Sequence, residues 1–177
     1  MQKLPILDGP YARPRPVYRE LEDFEALPKS IHERIRSFLS TEIKCSSCTN
    51  PLCSCSGRSK SEIIFLPGER EWSENYVGKY RGDDPTRFPL CGDCTLLDTN
   101  YRCTGGIYKP FDCLSHPLQP VVYDGKLVPM FSKSCSVHPA DLSPRWISER
   151  WEAWQFIFVL IPKWLELYSQ VPSGELL

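Results

Sequence analysis

Cys113-Leu114-Ser115-His116-Pro117 has a counterpart in Cys135-Ser136-Val137-His138-Pro139, and Cys45-Ser46-Ser47-Cys48-Thr49 has one in Cys91-Gly92-Asp93-Cys94-Thr95. Two ligands three positions apart can grip one metal ion from a single tight turn, and zinc favours thiolate and imidazole in closed tetrahedral sites. A lone Cys-x-x-Cys says little. Four such claws in one short chain, two of them with histidine at the same offset, predict a zinc-stapled protein.

The pairing of claws is less constrained. Eighteen residues separate Cys94 from Cys113, and forty-two separate Cys48 from Cys91. Loop closure favours the shorter span by only about 0.75 kcal/mol. That tie-breaker puts Cys91, Cys94, Cys113 and His116 in one site. Cys45, Cys48, Cys53 and Cys55 then form a compact set that could hold a second ion. Cys135 and His138 need further partners, and Cys103 is left over, so two or three zinc ions are expected. Cys53, Cys55 and Cys103 could equally be buried thiols. His32 could complete a third site, but its place beside an apolar stripe predicts a solvent-facing side chain.

Disulfides fit poorly. The cysteine count is nine, an odd number, and Met1–Phe24 contains no apolar core of a secretory signal. The expectation is a reducing, intracellular setting, cytoplasm or nucleus. The run Phe156–Ile161 is too short for a membrane span, which needs about 20 apolar residues. With 177 residues, 41% hydrophobic and 24% charged, the chain reads as an ordered protein. Seventeen prolines and ten glycines predict much irregular backbone, which gains from metal staples. The net charge of −1 gives no general pull toward nucleic acid. The local basic candidates are Arg13, Arg15, Arg19, Arg58 and Lys60; acidic residues soon follow the last two.

The predicted organisation is an extended arm over 1–16 and one zinc-stapled domain over 17–177, helical at 17–40, zinc-binding at 45–138, with an aromatic helix at 144–170. A short helix over Pro16–Ala26 carries Leu21 and Phe24. In the next helix Ser30 reads as N-cap with Glu33 as capping-box partner. Ile31, Ile35, Phe38 and Leu39 form its apolar stripe, with His32, Arg34 and Arg36 facing away. Ile63-Ile64-Phe65-Leu66 reads as a strand ended by Pro67-Gly68. Trp72, Tyr76 and Tyr80 follow at helical spacing. Asp124-Gly125 between apolar residues predicts a type I′ hairpin. Ser143-Pro144 opens the last helix, with Ile147, Trp151, Trp154, Phe158 and Ile161 as a stripe and Pro162 as its kink or end. The fold class is therefore α+β, small and irregular, with a zinc-stapled core, short hairpins and flanking N- and C-terminal helices.

Catalysis is not expected. His32-Glu33 lacks the second histidine of a metalloprotease helix, and Leu90 separates Pro89 from Cys91, unlike the deaminase Pro-Cys-x-x-Cys. Cys91-Gly92-Asp93-Cys94 is similar to the segment around a papain-type nucleophile, with His138 as base. Thr95 replaces the aromatic expected next, and the spacing to His138 is too short. The ligand order matches neither RING, LIM nor MYND types. In compact size, heavy cysteine use and few alanines the chain resembles viral accessory proteins that act by binding host factors. The expected function is a multi-zinc regulatory or adaptor protein working through protein–protein contacts, with a protein partner or self-association through the C-terminal aromatic helix. The alternative is a zinc-dependent RNA- or DNA-binding protein, such as a silencing suppressor or transcriptional regulator.

Overall fold

Ile63-Ile64-Phe65-Leu66 is buried along its whole length and feeds two apolar clusters alternately. Ile63 and Phe65 pack with Tyr80 and Leu96, whereas Ile64 and Leu66 enter the main core. That is the two-residue period of an extended chain with both faces covered. The computed structural model describes residues 20–21, 23–41, 63–80, 87–88, 96, 106–131 and 139–170. The 1–16 arm, the basic candidates and every metal-ligand candidate except Cys113, His116 and His32 lie outside them.

Within the described residues the order is α1 (Lys29–Ser37), β1 (Ile63–Ile64), α2 (Glu69–Val77), β2 (Arg87–Phe88), a 3-10 turn at Gly106–Tyr108, α3 (Phe111–Ser115), β3 (Leu118–Tyr123), β4 (Lys126–Phe131), a 3-10 turn at Pro139–Asp141, α4 (Pro144–Leu160) and α5 (Pro162–Tyr168). Two antiparallel pairs, β1–β2 and β3–β4, accompany the helices, so the α+β class holds. No described helix is long and apolar enough to cross a membrane.

The hairpin forms where Asp-Gly predicts it. Asp124 and Gly125 both have positive φ, 50° and 67°, as a type I′ turn requires. Register runs from Tyr123↔Lys126 back to Leu118↔Phe131, with Pro120 opposite Pro129. Hydrogen-bonded and non-bonded pairs alternate from the turn, which places both prolines in a non-bonded pair where the missing N–H costs the ladder nothing.

The last helix also starts and stops on its local signals. Ser143 Oγ accepts from Trp146 N at 3.1 Å, and Pro144 takes the first helical position. Ile161, forced out of helical geometry by Pro162, sits at φ −136° and ψ 61°, and α5 restarts at Pro162. The buried face differs from the expected stripe. Trp146, Arg150, Ala153, Trp154 and Ile157 face inward, with Trp151, Phe156, Phe158 and Ile161 half-buried against the core. Trp146, Trp154 and Trp164 therefore fill the molecule, with Trp151 half-buried at its edge; the most exposed apolar residues of α4 are Val159, 78% exposed, and Leu160, 39% exposed.

Two expectations for α1 are corrected. Ser30 is not its N-cap: the helix begins at Lys29 behind Pro28, whose extended backbone (ψ 150°) marks the boundary without a side-chain cap. Glu33 pairs with Lys29 at 3.4 Å instead of closing a capping box. His32 and Arg36 do not face solvent. They are buried beside Ile35, at helical spacing on one face, while Arg34 remains exposed. The apolar stripe is one edge of a wider inward face whose charges find partners from distant parts of the chain.

The partner of Arg36 is Glu69, the fully buried first residue of α2. Glu69 Oε1 also accepts from Phe111 N at 2.7 Å, and Oε2 from Leu66 N at 2.8 Å. Arg36 donates further to the carbonyls of Ile107 (3.0 Å) and Lys109 (3.2 Å). This one pair joins α1, the 63–68 segment, α2 and the approach to α3. Gly68 makes the entry to α2 possible: its φ is 74°, and a Cβ there would stand 2.8 Å from Ala26 Cβ.

Candidate metal centre

The short helix α3 carries two of the described ligand candidates. Pro110, with extended backbone, stops the preceding chain from continuing as helix and serves as N-cap; Leu114 N and His116 N then close back to the Pro110 and Asp112 carbonyls at 3.0 and 3.1 Å. That single turn holds Cys113 and His116 three positions apart, and the His116–Pro117 bond that follows is cis.

Neighbours grip this turn at successive residues. Phe111 N is bound by Glu69. Asp112 Oδ2 accepts from Ile64 N at 3.2 Å and Oδ1 from the Tyr168 hydroxyl at 2.5 Å. Arg150 Nε donates to the Leu114 carbonyl at 3.2 Å. Burial pushes the Asp112 carboxyl up to about 6, against the opposing hydrogen bonds from Tyr168 and Ile64. Tyr168 is held well above its ordinary value, first by burial and then by the Asp112 charge.

Cys113 is half-buried and packs against the cluster of Ile63, Phe65, Tyr80 and Leu96. Leu96, two residues beyond Cys94 in sequence, belongs to the same cluster. The His116 imidazole is held neutral: burial, then the Lys109 charge, lower it to about 4. Its Nε2 is buried with no hydrogen-bond partner among the described residues. Leaving such an atom unsatisfied costs about 1–3 kcal/mol. A neutral, desolvated imidazole nitrogen and a thiol three positions earlier on the same turn are donor types zinc takes, so the chemistry of these two residues fits the ion.

Among the described residues no group of three or more His, Cys, Asp or Glu side chains gathers as a metal site. Cys45, Cys48, Cys53, Cys55, Cys91, Cys94, Cys103, Cys135 and His138 lie outside them. His32 is placed in the core, stacked on Trp72 with ring centroids 5.6 Å apart. Neither nitrogen makes a hydrogen bond of good geometry; the Pro67 and Leu27 carbonyls stand close enough to favour its proton only weakly, and the nearby Glu69 is already committed to Arg36 and two backbone N–H groups.

Burial lowers the His32 pKa below 6.5, with Glu69 opposing and Arg36 adding to the shift. A histidine held below its unfolded value contributes stability that is full above about pH 6.5 and is lost as pH falls through the lowered value. His32→Phe is therefore expected to flatten the decline in unfolding free energy between pH 7 and pH 5, measured by urea titration. An unchanged slope would show that His32 does not set it.

Spacing put Cys113 and His116 on one turn, as the structure does, but Glu69, Asp112, Arg150 and Tyr168, which fix that turn, were not singled out. Arg150 alone carried a signal, because helical spacing from Trp146 and Trp154 sets it on the inward face of its helix.

Beside it, Glu149 accepts from Ser40 N (3.0 Å) and Oγ (2.5 Å), Thr41 N (2.9 Å) and Oγ1 (2.8 Å), and Arg145 Nε (2.9 Å). Burial alone would raise its carboxyl; the hydrogen bonds from Ser40 and Thr41 together outweigh it and hold the group below the usual carboxylate range. Arg150 reaches Thr41 as well, at Oγ1 (3.2 Å) and at the carbonyl. The Glu149–Arg150 pair thus ties the chain just past α1 to the turn that bears Cys113 and His116. No family model matches this chain, and no curated protein or solved structure proves similar to it.

Proposed function

We propose that this chain is a zinc-stapled regulatory or adaptor protein that acts through contact with another protein. The observation that carries the zinc half is the buried, unpartnered Nε2 of a neutral His116 on the same turn as Cys113. The first site in this reading is Cys91, Cys94, Cys113 and His116, supported by the packing of Leu96 and Cys113 on one cluster. Cys45, Cys48, Cys53 and Cys55 are the candidates for a second ion, with Cys135, His138 and Cys103 as candidates for a third. Zinc would supply a closed tetrahedral staple in a chain whose short helices and two-strand ribbons bury little on their own.

The adaptor half rests on the apolar end of α4, where Val159 and Leu160 stand exposed beside half-buried Phe156 and Phe158. Trp146, Trp154 and Trp164 cannot serve as that surface without opening the core.

Native mass spectrometry of the full chain, with and without chelator, tests the zinc. We expect two or three ions, one fewer in His116→Ala, and loss of near-ultraviolet dichroism on chelation. A chain that carries no zinc, or that keeps its fold and its count of reactive thiols unchanged under chelator, sinks the reading. Tight association of the zinc-loaded chain with RNA or DNA, falling steeply with salt, would replace the adaptor role with nucleic-acid binding.

A further inference from the structure

We propose that Arg150 is a positioning residue for zinc, fixing the turn that carries Cys113 and His116. The proposal rests on the zinc reading above and goes beyond it by naming what sets the affinity of that site.

A buried guanidinium in an apolar helix is costly unless every fork of it is used. Arg150 is fully buried in α4, and among the described residues its fork reaches Leu114, Thr41 and the adjacent Glu149. Nε donates to the Leu114 carbonyl at 3.2 Å. Nη1 donates to Thr41 Oγ1 and to Glu149 Oε2, both at 3.2 Å. Nη2 donates to the Thr41 carbonyl. The guanidinium carbon stands 4.5 Å from the Trp146 ring centroid, which closes off one face.

Leu114 is the residue that matters. It lies between the two ligand candidates, and its carbonyl is one of the last four of α3, which the helix leaves without an internal partner. Arg150 supplies that partner from one side, and Asp112, held by Ile64 N and Tyr168, anchors the other. Between them the rotation of a single helical turn is set. Zinc needs sulfur at about 2.3 Å and nitrogen at about 2.0–2.1 Å, so a claw whose turn can rock loses affinity before it loses its fold. Lysine cannot replace the arginine, because a single ammonium on a flexible stem cannot hold Leu114 and Thr41 in one fixed plane.

The test uses the full zinc-loaded chain. Arg150→Lys is expected to carry the wild-type number of ions in excess zinc, with unchanged near-ultraviolet dichroism, and to lose one ion to a competing chelator at about 10–100-fold lower chelator activity. Its cobalt-substituted form should show altered ligand-field bands. Arg145→Ala is the control: Arg145 binds the same Glu149 and Ser40 but does not touch Leu114, and its zinc affinity should stay within about 3-fold of wild type. Should Arg150→Lys fail to fold, Thr41→Ala removes one hydroxyl acceptor of the same guanidinium, and a selective loss of one ion under chelator, absent in Ser40→Ala, carries the same meaning. Arg150→Lys that folds with wild-type zinc retention and an unchanged cobalt spectrum overturns the proposal while leaving the zinc reading intact. If Arg150→Lys does not fold, Thr41→Ala with wild-type retention does the same. A wild-type chain that binds no zinc overturns both.

Discussion

Glu69→Ala is expected to lower the unfolding free energy by about 4 kcal/mol, enough to leave a marginally stable domain largely unfolded near body temperature. The size follows from what the carboxylate holds. Its removal strands the Arg36 guanidinium, which is buried between Trp72 and Phe111 at 5.1 and 5.5 Å from their ring centroids. It also orphans the backbone N–H groups of Leu66 and Phe111, each costing about 1–3 kcal/mol when left unpaired. Part of this is recovered if the chain relaxes toward water. The double variant Arg36→Met with Glu69→Leu removes both charges together and is expected to be more stable than Glu69→Ala, because no uncompensated charge remains. Urea unfolding of the two single variants and the double variant measures this coupling. A loss below about 1 kcal/mol in Glu69→Ala would show that Arg36 finds another partner at little cost.

Trp154→Ala is expected to cost about 3–5 kcal/mol, as for other large aromatics cut from a packed core. The indole is fully buried, meets Phe111 edge-on with centroids 4.7 Å apart, and tilts against Tyr168 at 5.2 Å. Its loss would open a cavity where α3, α4 and α5 converge. Trp154→Phe should cost only about 1–2 kcal/mol: the ring contacts largely survive, and an indole Nε1 with no hydrogen-bond partner among the described residues is removed. Equal losses in the two variants would mean that contacts specific to the indole, not the volume of the cavity, decide stability. The same burial makes Trp154 a poor probe of partner contact. Val159→Ser tests that surface without touching the core.

The legible parts of the fold are those decided within a few residues. The Asp124-Gly125 turn, the Ser143 cap with Pro144, the break before Pro162 and the strand at Ile63–Ile64 all appear where the sequence places them. The failures have two causes, one local and one long-range. At Ser30 the capping-box pattern is present, but Pro28 already marks the helix boundary, so the serine falls inside the helix. At His32 and Arg36, hydropathy assigns polar residues to solvent, yet Arg36 is drawn inward by a carboxylate 33 positions away. That Cys113 and His116 share one tight turn was legible from spacing alone; the hold of Arg150 and Asp112 on that turn was not.

By itself the sequence determined the Asp124-Gly125 turn, the start of the last long helix at Ser143-Pro144 and its end before Pro162, and which thiols and imidazoles stand at ligand spacing, because backbone dihedral preferences and short offsets are local properties. Only the tertiary structure decided which charges lie inside and what they hold. Burying Arg36, Glu69 and Arg150 is favourable only when several donors and acceptors meet at once, and those partners come from as far as 109 positions along the chain.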